Sequence, residues 1–205
     1  NVSNMKAASR LRTGELGQKT KGGYSFQSNP VLVEGRLYVT TGSAIIIALD
    51  PLNGIQLWRY DPKTDRTKAT AETANRGAAF WIENTKNSYT QYRYHIFTGN
   101  MDGRLIAVDG ITDKPCFDFS GSSETFLTKD VRLASSIDDE YSITSPTVIV
   151  NDVIATGSSI GDNRGIKSEP GIVRGFDARS GEEIWRFDPI PRTIDDPEFS
   201  GWIPT

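Results

Sequence analysis

One turn pattern occurs three times along this chain, and it constrains the fold more than any other feature. In each copy an aspartate follows an apolar run, and a large aromatic residue lies eight positions after it. The aspartate and the glycine that follows it favour a tight turn, because short polar side chains and residues that tolerate positive φ angles suit tight turns. Such recurrence indicates a repeated structural unit. The pairs are Asp50 with Trp58, Asp109 with Phe117, and Asp177 with Trp185.

The repeated unit is longer than this turn. Upstream of each aspartate lies a β-rich run that ends in Thr-Gly, at 41–42, 98–99 and 156–157. In two copies a further apolar run precedes it, separated only by Glu34-Gly35 or by Asn151-Asp152. Two-residue polar turns between β-branched runs are typical of hairpins. Each unit is therefore predicted to be a four-stranded antiparallel meander.

Meanders repeated in this way predict an all-β fold, a β-propeller, with one partial propeller domain over residues 1–205. The predicted blades are 24–62, 76–119 and 141–189, and a further blade starts at about 200–205. The repeated aromatic would fill the wedge between neighbouring blades. Because propellers have about four to eight blades, three blades indicate part of a larger ring or a ring closed with other chains.

Composition excludes several functions. The chain has 205 residues, a net charge of −3 and a pI of about 5.3, which argues against nucleic acid as a partner. His95 and Cys116 are the single histidine and cysteine, so neither a zinc site nor a histidine-based triad is expected. The longest apolar run, 44–49, is far shorter than a membrane span.

The third unit breaks the repeat. Twenty positions separate Gly157 from Asp177, against eight and ten in the other copies. The additional segment contains Asp162, Asn163 and Glu169, whose oxygens are of the kind that Ca²⁺ prefers. The spacing does not match an EF-hand, so a metal site would need ligands from distant parts of the chain. The alternative is a solvated surface loop.

Asn75-Arg76-Gly77, at the start of the second unit, is another candidate site. An arginine beside a glycine that allows close backbone approach suits a planar carboxylate ligand. The alternative is a surface ion pair.

Together these motifs resemble the pyrroloquinoline-quinone (PQQ)-dependent dehydrogenases over essentially the whole chain. Within this family the chain is most similar to the membrane-bound glucose, quinate and polyol dehydrogenases. The resemblance implies an eight-bladed ring. The motifs that carry it are Asn75-Arg76-Gly77-Ala-Ala-Phe80-Trp81, Thr144-Ser145-Pro146, Gly157-Ser158-Ser159, Asp162-Asn163 and residues 169–177.

The resemblance implies roles for individual residues. Arg76 would pair with a carboxylate of PQQ, and Thr144, Ser158 and Ser159 would line the cofactor. Ca²⁺ (or Mg²⁺) would be held by Glu169 or by Asp162, whose neighbour Asn163 would lie at the same cofactor site; both metal assignments stay open. Trp202 would form the floor under the cofactor, with another interblade aromatic as the alternative.

The implied activity is oxidation of a sugar, polyol or alcohol hydroxyl by hydride transfer to the quinone, with a quinone or cytochrome as electron acceptor. The general base is expected beyond Thr205. The resemblance also implies a periplasmic location, and anchoring helices, if present, would precede Asn1. The chain departs from the family before Asn75, where it has neither the adjacent cysteines of the methanol branch nor the histidine of the sugar branch. The alternative function is a scaffold that docks partner proteins without a cofactor, which predicts a short loop in the third blade.

Overall fold

The computed structural model describes residues 2–15, 23–66, 73–84, 92–128, 141–161, 169–191 and 195. A 3₁₀ turn at Val2–Asn4 precedes three sheets of four antiparallel strands each. The first contains β1 (Val31–Val33), β2 (Arg36–Thr40), β3 (Ile46–Leu49) and β4 (Gln56–Tyr60). The second contains β5 (Ala79–Ile82), β6 (Tyr94–Gly99), β7 (Arg104–Asp109) and β8 (Glu124–Phe126). The third contains β9 (Val148–Val150), β10 (Val153–Thr156), β11 (Val173–Asp177) and β12 (Glu183–Phe187).

Each sheet is a meander, because its strands pair in chain order. Val33 pairs with Arg36 across the first hairpin, where Glu34 and Gly35 have φ angles of 48° and 70°. Positive φ at both turn residues matches the right-handed twist of the strands that they connect. The predicted hairpins and four-stranded units are confirmed, and with them the all-β fold of partial propeller type.

The recurring aspartate fixes the turn that follows it. The Asp177 carboxylate accepts hydrogen bonds from the backbone N–H groups of Arg179 and Ser180, at 3.0 and 2.7 Å, and from the Ser180 hydroxyl at 2.9 Å. One carboxylate oxygen of Asp109 accepts the same three hydrogen bonds in its turn, two from backbone N–H groups and one from a hydroxyl. The aspartate thereby satisfies turn N–H groups that would otherwise need water.

Trp58 lies between the first two sheets, as the repeat predicts. Its side chain is 9% exposed and packs on Tyr38, with ring centroids 5.8 Å apart. The same buried cluster includes Ile96, Ile106 and other residues of the second sheet. Burying an indole here removes a large apolar area from water and fixes the two sheets against each other.

The second sheet corrects two sequence predictions. Phe117, expected to fill the next wedge, is 57% exposed, whereas Phe119 is fully buried with its ring 5.2 Å from that of Phe97. After pairing Val108 with Pro115, the chain leaves the sheet in a series of turns and returns to it as β8. This insertion moves the wedge-filling aromatic by two positions, and it carries the second blade to residue 126, beyond the predicted end at 119.

The third sheet presents an apolar outer face. Trp185 lies over Gly175, where any Cβ atom would overlap the indole. Trp185 is 40% exposed, and Val148, Val150 and Phe187 are also exposed. Within the described residues no further sheet covers this face, although it resembles the faces that the other two interfaces bury. Among these residues, none forms a helix with the length and apolar character needed to cross a membrane.

Candidate functional site

The segments before the first strands of the three sheets meet at Arg76. The Arg76 N–H donates to the Thr144 carbonyl at 3.0 Å, and its own carbonyl accepts from the Asn29 N–H at 3.0 Å. Asn29, Arg76 and Thr144 precede β1, β5 and β9 respectively. These backbone bonds join three consecutive blades at one point, so residue 76 is fixed by its neighbours on both sides.

The Arg76 side chain faces solvent from this fixed position. Its Nη1 donates to the Thr144 hydroxyl at 2.7 Å, and of the residues that the structure describes, no carboxylate forms an ion pair with it. Gly77 follows with a φ angle of 145°, a conformation that residues with a Cβ rarely adopt. The geometry therefore presents the guanidinium to solvent beside the Thr144 hydroxyl, and its pairing with a carboxylate ligand remains a prediction.

Ser158 and Ser159 lie next to the Thr144 segment. Ser159 and Ser142 exchange two backbone hydrogen bonds of 2.7 and 2.8 Å, and Ser142 is two residues before Thr144. The Ser158 hydroxyl donates to the Ile172 carbonyl at 3.4 Å. Four of the predicted site residues therefore lie on neighbouring segments at the start of the third blade: Arg76, Thr144, Ser158 and Ser159.

Tyr141, directly before Ser142, is buried close to Ser158 and Glu169. The Tyr141 phenol is buried, and burial raises its pKa; the Ser158 hydroxyl and the Arg174 charge oppose the shift, whereas the Glu169 and Glu183 charges add to it. Glu169 is 1% exposed. A buried carboxylate needs hydrogen bonds or a countercharge to offset its loss of water, so burial alone does not assign a metal to Glu169, and its role as a ligand remains a prediction.

Three predicted site residues cannot be placed relative to this group. Asp162, Asn163 and Trp202 lie outside the described residues. Their roles remain predictions, and so does the choice between Glu169 and Asp162 as metal ligand.

A second cluster of polar groups lies at the other end of the second sheet. Ligand atoms of His95, Cys116 and Asp118 lie within 4.8 Å of one another, and His95 Nε2 is 3.2 Å from Asp118 Oδ1. Burial raises the pKa of the Cys116 thiol and, opposed by the charge of Asp118, lowers the pKa of His95. His95 Nδ1 has no partner in the part of the chain described, whereas a metal-bound histidine normally donates its other ring N–H. His95 lies in β6 and the other two residues in the turn region after Pro115, so the cluster joins this strand to those turns.

Two residues of the site were not assigned a role from sequence. Asn75 was quoted as part of a motif, but nothing in its residue type shows that its side chain is buried beneath Arg76. Tyr141 has no sequence signal, because it lies outside the repeated strands and turns.

The chain matches a family of known proteins over nearly its full length. Residues 1–204 match the family model described as PQQ glucose/ethanol/alcohol dehydrogenase, beta-propeller domain. The chain is 30% identical to quinoprotein glucose dehydrogenase A of Acinetobacter calcoaceticus and 32% identical to quinoprotein glucose dehydrogenase of Escherichia coli K12, over 92% of its own length. It spans about a quarter of these relatives, 25% and 24% respectively.

A solved structure agrees with these sequence matches. The fold superposes on quinohemoprotein alcohol dehydrogenase from Comamonas testosteroni with a TM-score of 0.65 and 25% identity, covering 86% of this chain and 23% of that one. The resemblance predicted from the motifs is thereby confirmed, including the similarity to glucose dehydrogenases. The chain belongs to the family of PQQ-dependent quinoprotein dehydrogenases and forms part of its β-propeller domain.

Proposed function

We propose that this chain is part of a dehydrogenase that oxidises a hydroxyl group of a sugar, polyol or alcohol by hydride transfer to PQQ, assisted by Ca²⁺ or Mg²⁺. The observation that carries the proposal is the exposed Arg76 guanidinium, held against Thr144 where three blades meet, in a chain of this family. Because the chain spans only a quarter of its relatives, the activity is assigned to the whole protein.

The residues present fit the proposed cofactor. PQQ is a flat quinone with three carboxylates, and a guanidinium matches a carboxylate with two parallel hydrogen bonds. The hydroxyls of Thr144, Ser158 and Ser159 can donate to further oxygens at the rim of such a molecule. The buried Glu169 offers the hard oxygen ligand that Ca²⁺ prefers.

When bound, PQQ would supply the hydride acceptor and Ca²⁺ the Lewis acid that polarises it. The residues of this chain would bind and orient that assembly. Arg76 would neutralise a carboxylate, and the threonine and serine hydroxyls would fix the plane of the ring in one orientation. The base that removes the substrate hydroxyl proton is expected from residues after Thr205.

The remainder of the propeller is the first proposed partner of the chain. It would cover the apolar face around Trp185, which is 40% exposed, in the way that the second sheet covers Trp58. The other proposed partners are an alcohol or sugar substrate and a quinone or cytochrome electron acceptor. We propose a periplasmic location, which the family resemblance implies.

The direct functional test is reconstitution of the full-length protein with PQQ and Ca²⁺, followed by dye-linked oxidation of glucose, quinate, glycerol and ethanol. We expect oxidation of at least one of these substrates that depends on PQQ. If PQQ binds neither with Ca²⁺ nor with Mg²⁺, the scaffold function becomes the better account.

Arg76→Ala should weaken PQQ binding by about ten- to a hundredfold, because a charge-assisted hydrogen bond contributes about 1.5–3 kcal/mol. The measurement is an equilibrium titration of the full-length protein with PQQ. The matched control is Arg36→Ala, at the hairpin end of the first sheet and away from the segments that meet at Arg76. Equal affinity of the Arg76 and Arg36 variants would remove Arg76 from the site.

Glu169→Gln should raise the Ca²⁺ concentration needed for half-maximal activation by at least about tenfold, because a neutral amide replaces an anionic ligand. Glu182→Gln, at an exposed position of the neighbouring turn, is the control and should leave this concentration unchanged. Unchanged Ca²⁺ dependence in the Glu169 variant would assign the metal to Asp162 instead.

A further inference from the structure

Asn75 makes four hydrogen bonds through one buried side chain. Its Oδ1 accepts from the Thr40 hydroxyl at 2.5 Å and from the Gly77 N–H at 3.0 Å. Its Nδ2 donates to the Thr98 hydroxyl at 2.8 Å and to the Gly99 carbonyl at 2.7 Å. The side chain is 1% exposed, so its whole hydrogen-bonding capacity is used inside the protein.

These bonds define the conformation around Arg76. The bond from Gly77 N–H to Asn75 Oδ1 closes a turn in which an asparagine side chain takes the place of a backbone carbonyl, with Arg76 at its apex. The other bonds tie this turn to the end of β2 in the first sheet, through Thr40, and to the end of β6 in the second, through Thr98 and Gly99. The apex is therefore held from below by two blades.

Arg76 itself is bound to neighbouring backbone on both sides and exposes its guanidinium. A long, flexible side chain loses conformational entropy when it binds a ligand. If its backbone is already fixed, less entropy remains to be lost on binding. Asn75 contributes no atom to the exposed surface. Any effect on a ligand is therefore indirect, and Arg76 is the exposed residue at the apex of the turn that Asn75 closes.

We infer that Asn75 is a positioning residue for the cofactor site, which fixes the backbone of Arg76 so that the guanidinium meets a carboxylate of PQQ. This inference rests on the proposed function, because it assigns that carboxylate to Arg76. It goes further because it assigns an effect on PQQ affinity to a buried amide that does not contact PQQ.

The test is a double-mutant cycle on the full-length protein, with PQQ affinity measured by equilibrium titration for Asn75→Ala, Arg76→Ala and the double variant. Asn75→Ala should weaken binding by about three- to thirtyfold, since it removes the bonds that hold the turn. Because Asn75 acts through Arg76, the double variant should bind no more weakly than Arg76→Ala alone. Additive losses would contradict a positioning role.

Hydrogen exchange at the Gly77 amide provides a second readout that does not need the cofactor. Asn75→Ala should accelerate this exchange in the apo protein, whereas Arg76→Ala should not. If the wild-type protein does not bind PQQ but Asn75→Ala still accelerates Gly77 exchange, the proposed function is wrong, whereas the role of Asn75 in holding the turn is supported. If Gly77 exchange is the same in wild type and variant, the inference is wrong.

Should Asn75→Ala fail to fold, Thr40→Val gives a milder version of the same test. It removes one hydrogen bond to the amide oxygen and leaves the asparagine in place. The expected loss of PQQ affinity is then about three- to fivefold, and it should again vanish in the Arg76→Ala background. A loss of equal size in both backgrounds would overturn the inference.

Discussion

Phe119→Ala is expected to lower the free energy of unfolding by about 3–5 kcal/mol, whereas Phe117→Ala should change it by less than about 0.5 kcal/mol. The two phenylalanines are two positions apart in the same turn region, yet Phe119 is fully buried and Phe117 is 57% exposed. Denaturant unfolding of the full-length protein, followed by tryptophan fluorescence, measures both.

The size of the expected effect comes from the place of Phe119 between two blades. Its ring contacts that of Phe97 at 5.2 Å and belongs to a buried cluster that also contains Phe176 of the third sheet. Truncation would leave a cavity at an interface that cannot collapse without moving a whole blade. If Phe117→Ala proved the costlier change, the aromatic eight positions after the aspartate would be the wedge-filling residue, contrary to the structure.

Arg179→Ala is expected to cost about 3 kcal/mol, the lower end of the range for breaking a buried ion pair, because Arg179 itself is 44% exposed. Its guanidinium pairs with Glu83, whose carboxylate is 1% exposed and lies at the end of the second sheet. The guanidinium also lies 5.6 Å from the ring centre of Trp81. Without Arg179, the carboxylate of Glu83 would remain buried without its countercharge.

A matched double variant separates these contributions. Glu83→Gln combined with Arg179→Ala should recover most of the lost stability, because a neutral amide costs less to bury than a carboxylate. Thermal unfolding of the full-length protein at low and moderate salt compares both variants with the wild type. A loss of less than about 1 kcal/mol for Arg179→Ala would mean that the pair acts as an ordinary surface salt bridge.

The fold could be predicted because its signals are local. Hairpins such as Glu34-Gly35 follow from turn chemistry, and the recurring aspartates report the same turn in each blade. The error at Phe117 arose because the insertion before β8 preserves the spacing of the repeat in sequence while it changes which aromatic is buried. Spacing alone does not distinguish a continuous strand from an interrupted one.

The candidate site could be predicted only in part. Arg76, Thr144, Ser158 and Ser159 were nominated through family resemblance, and their cofactor roles remain predictions. The structure places Arg76 beside Thr144 and pairs Ser159 with Ser142, two residues before Thr144. The supporting role proposed for Asn75 could not be predicted, because its side chain is buried and its hydrogen bonds join two blades. Such contacts join residues far apart in the chain, and a linear motif does not record them.

An equilibrium titration of the full-length protein with PQQ, in the presence and absence of Ca²⁺, tests the central claim most directly. We expect saturable binding at one site per chain, tighter with Ca²⁺ and weakened by about ten- to a hundredfold in Arg76→Ala. Absence of saturable binding under both conditions, or binding that Arg76→Ala leaves unchanged, would contradict the assignment of a cofactor site to the meeting point of the three blades.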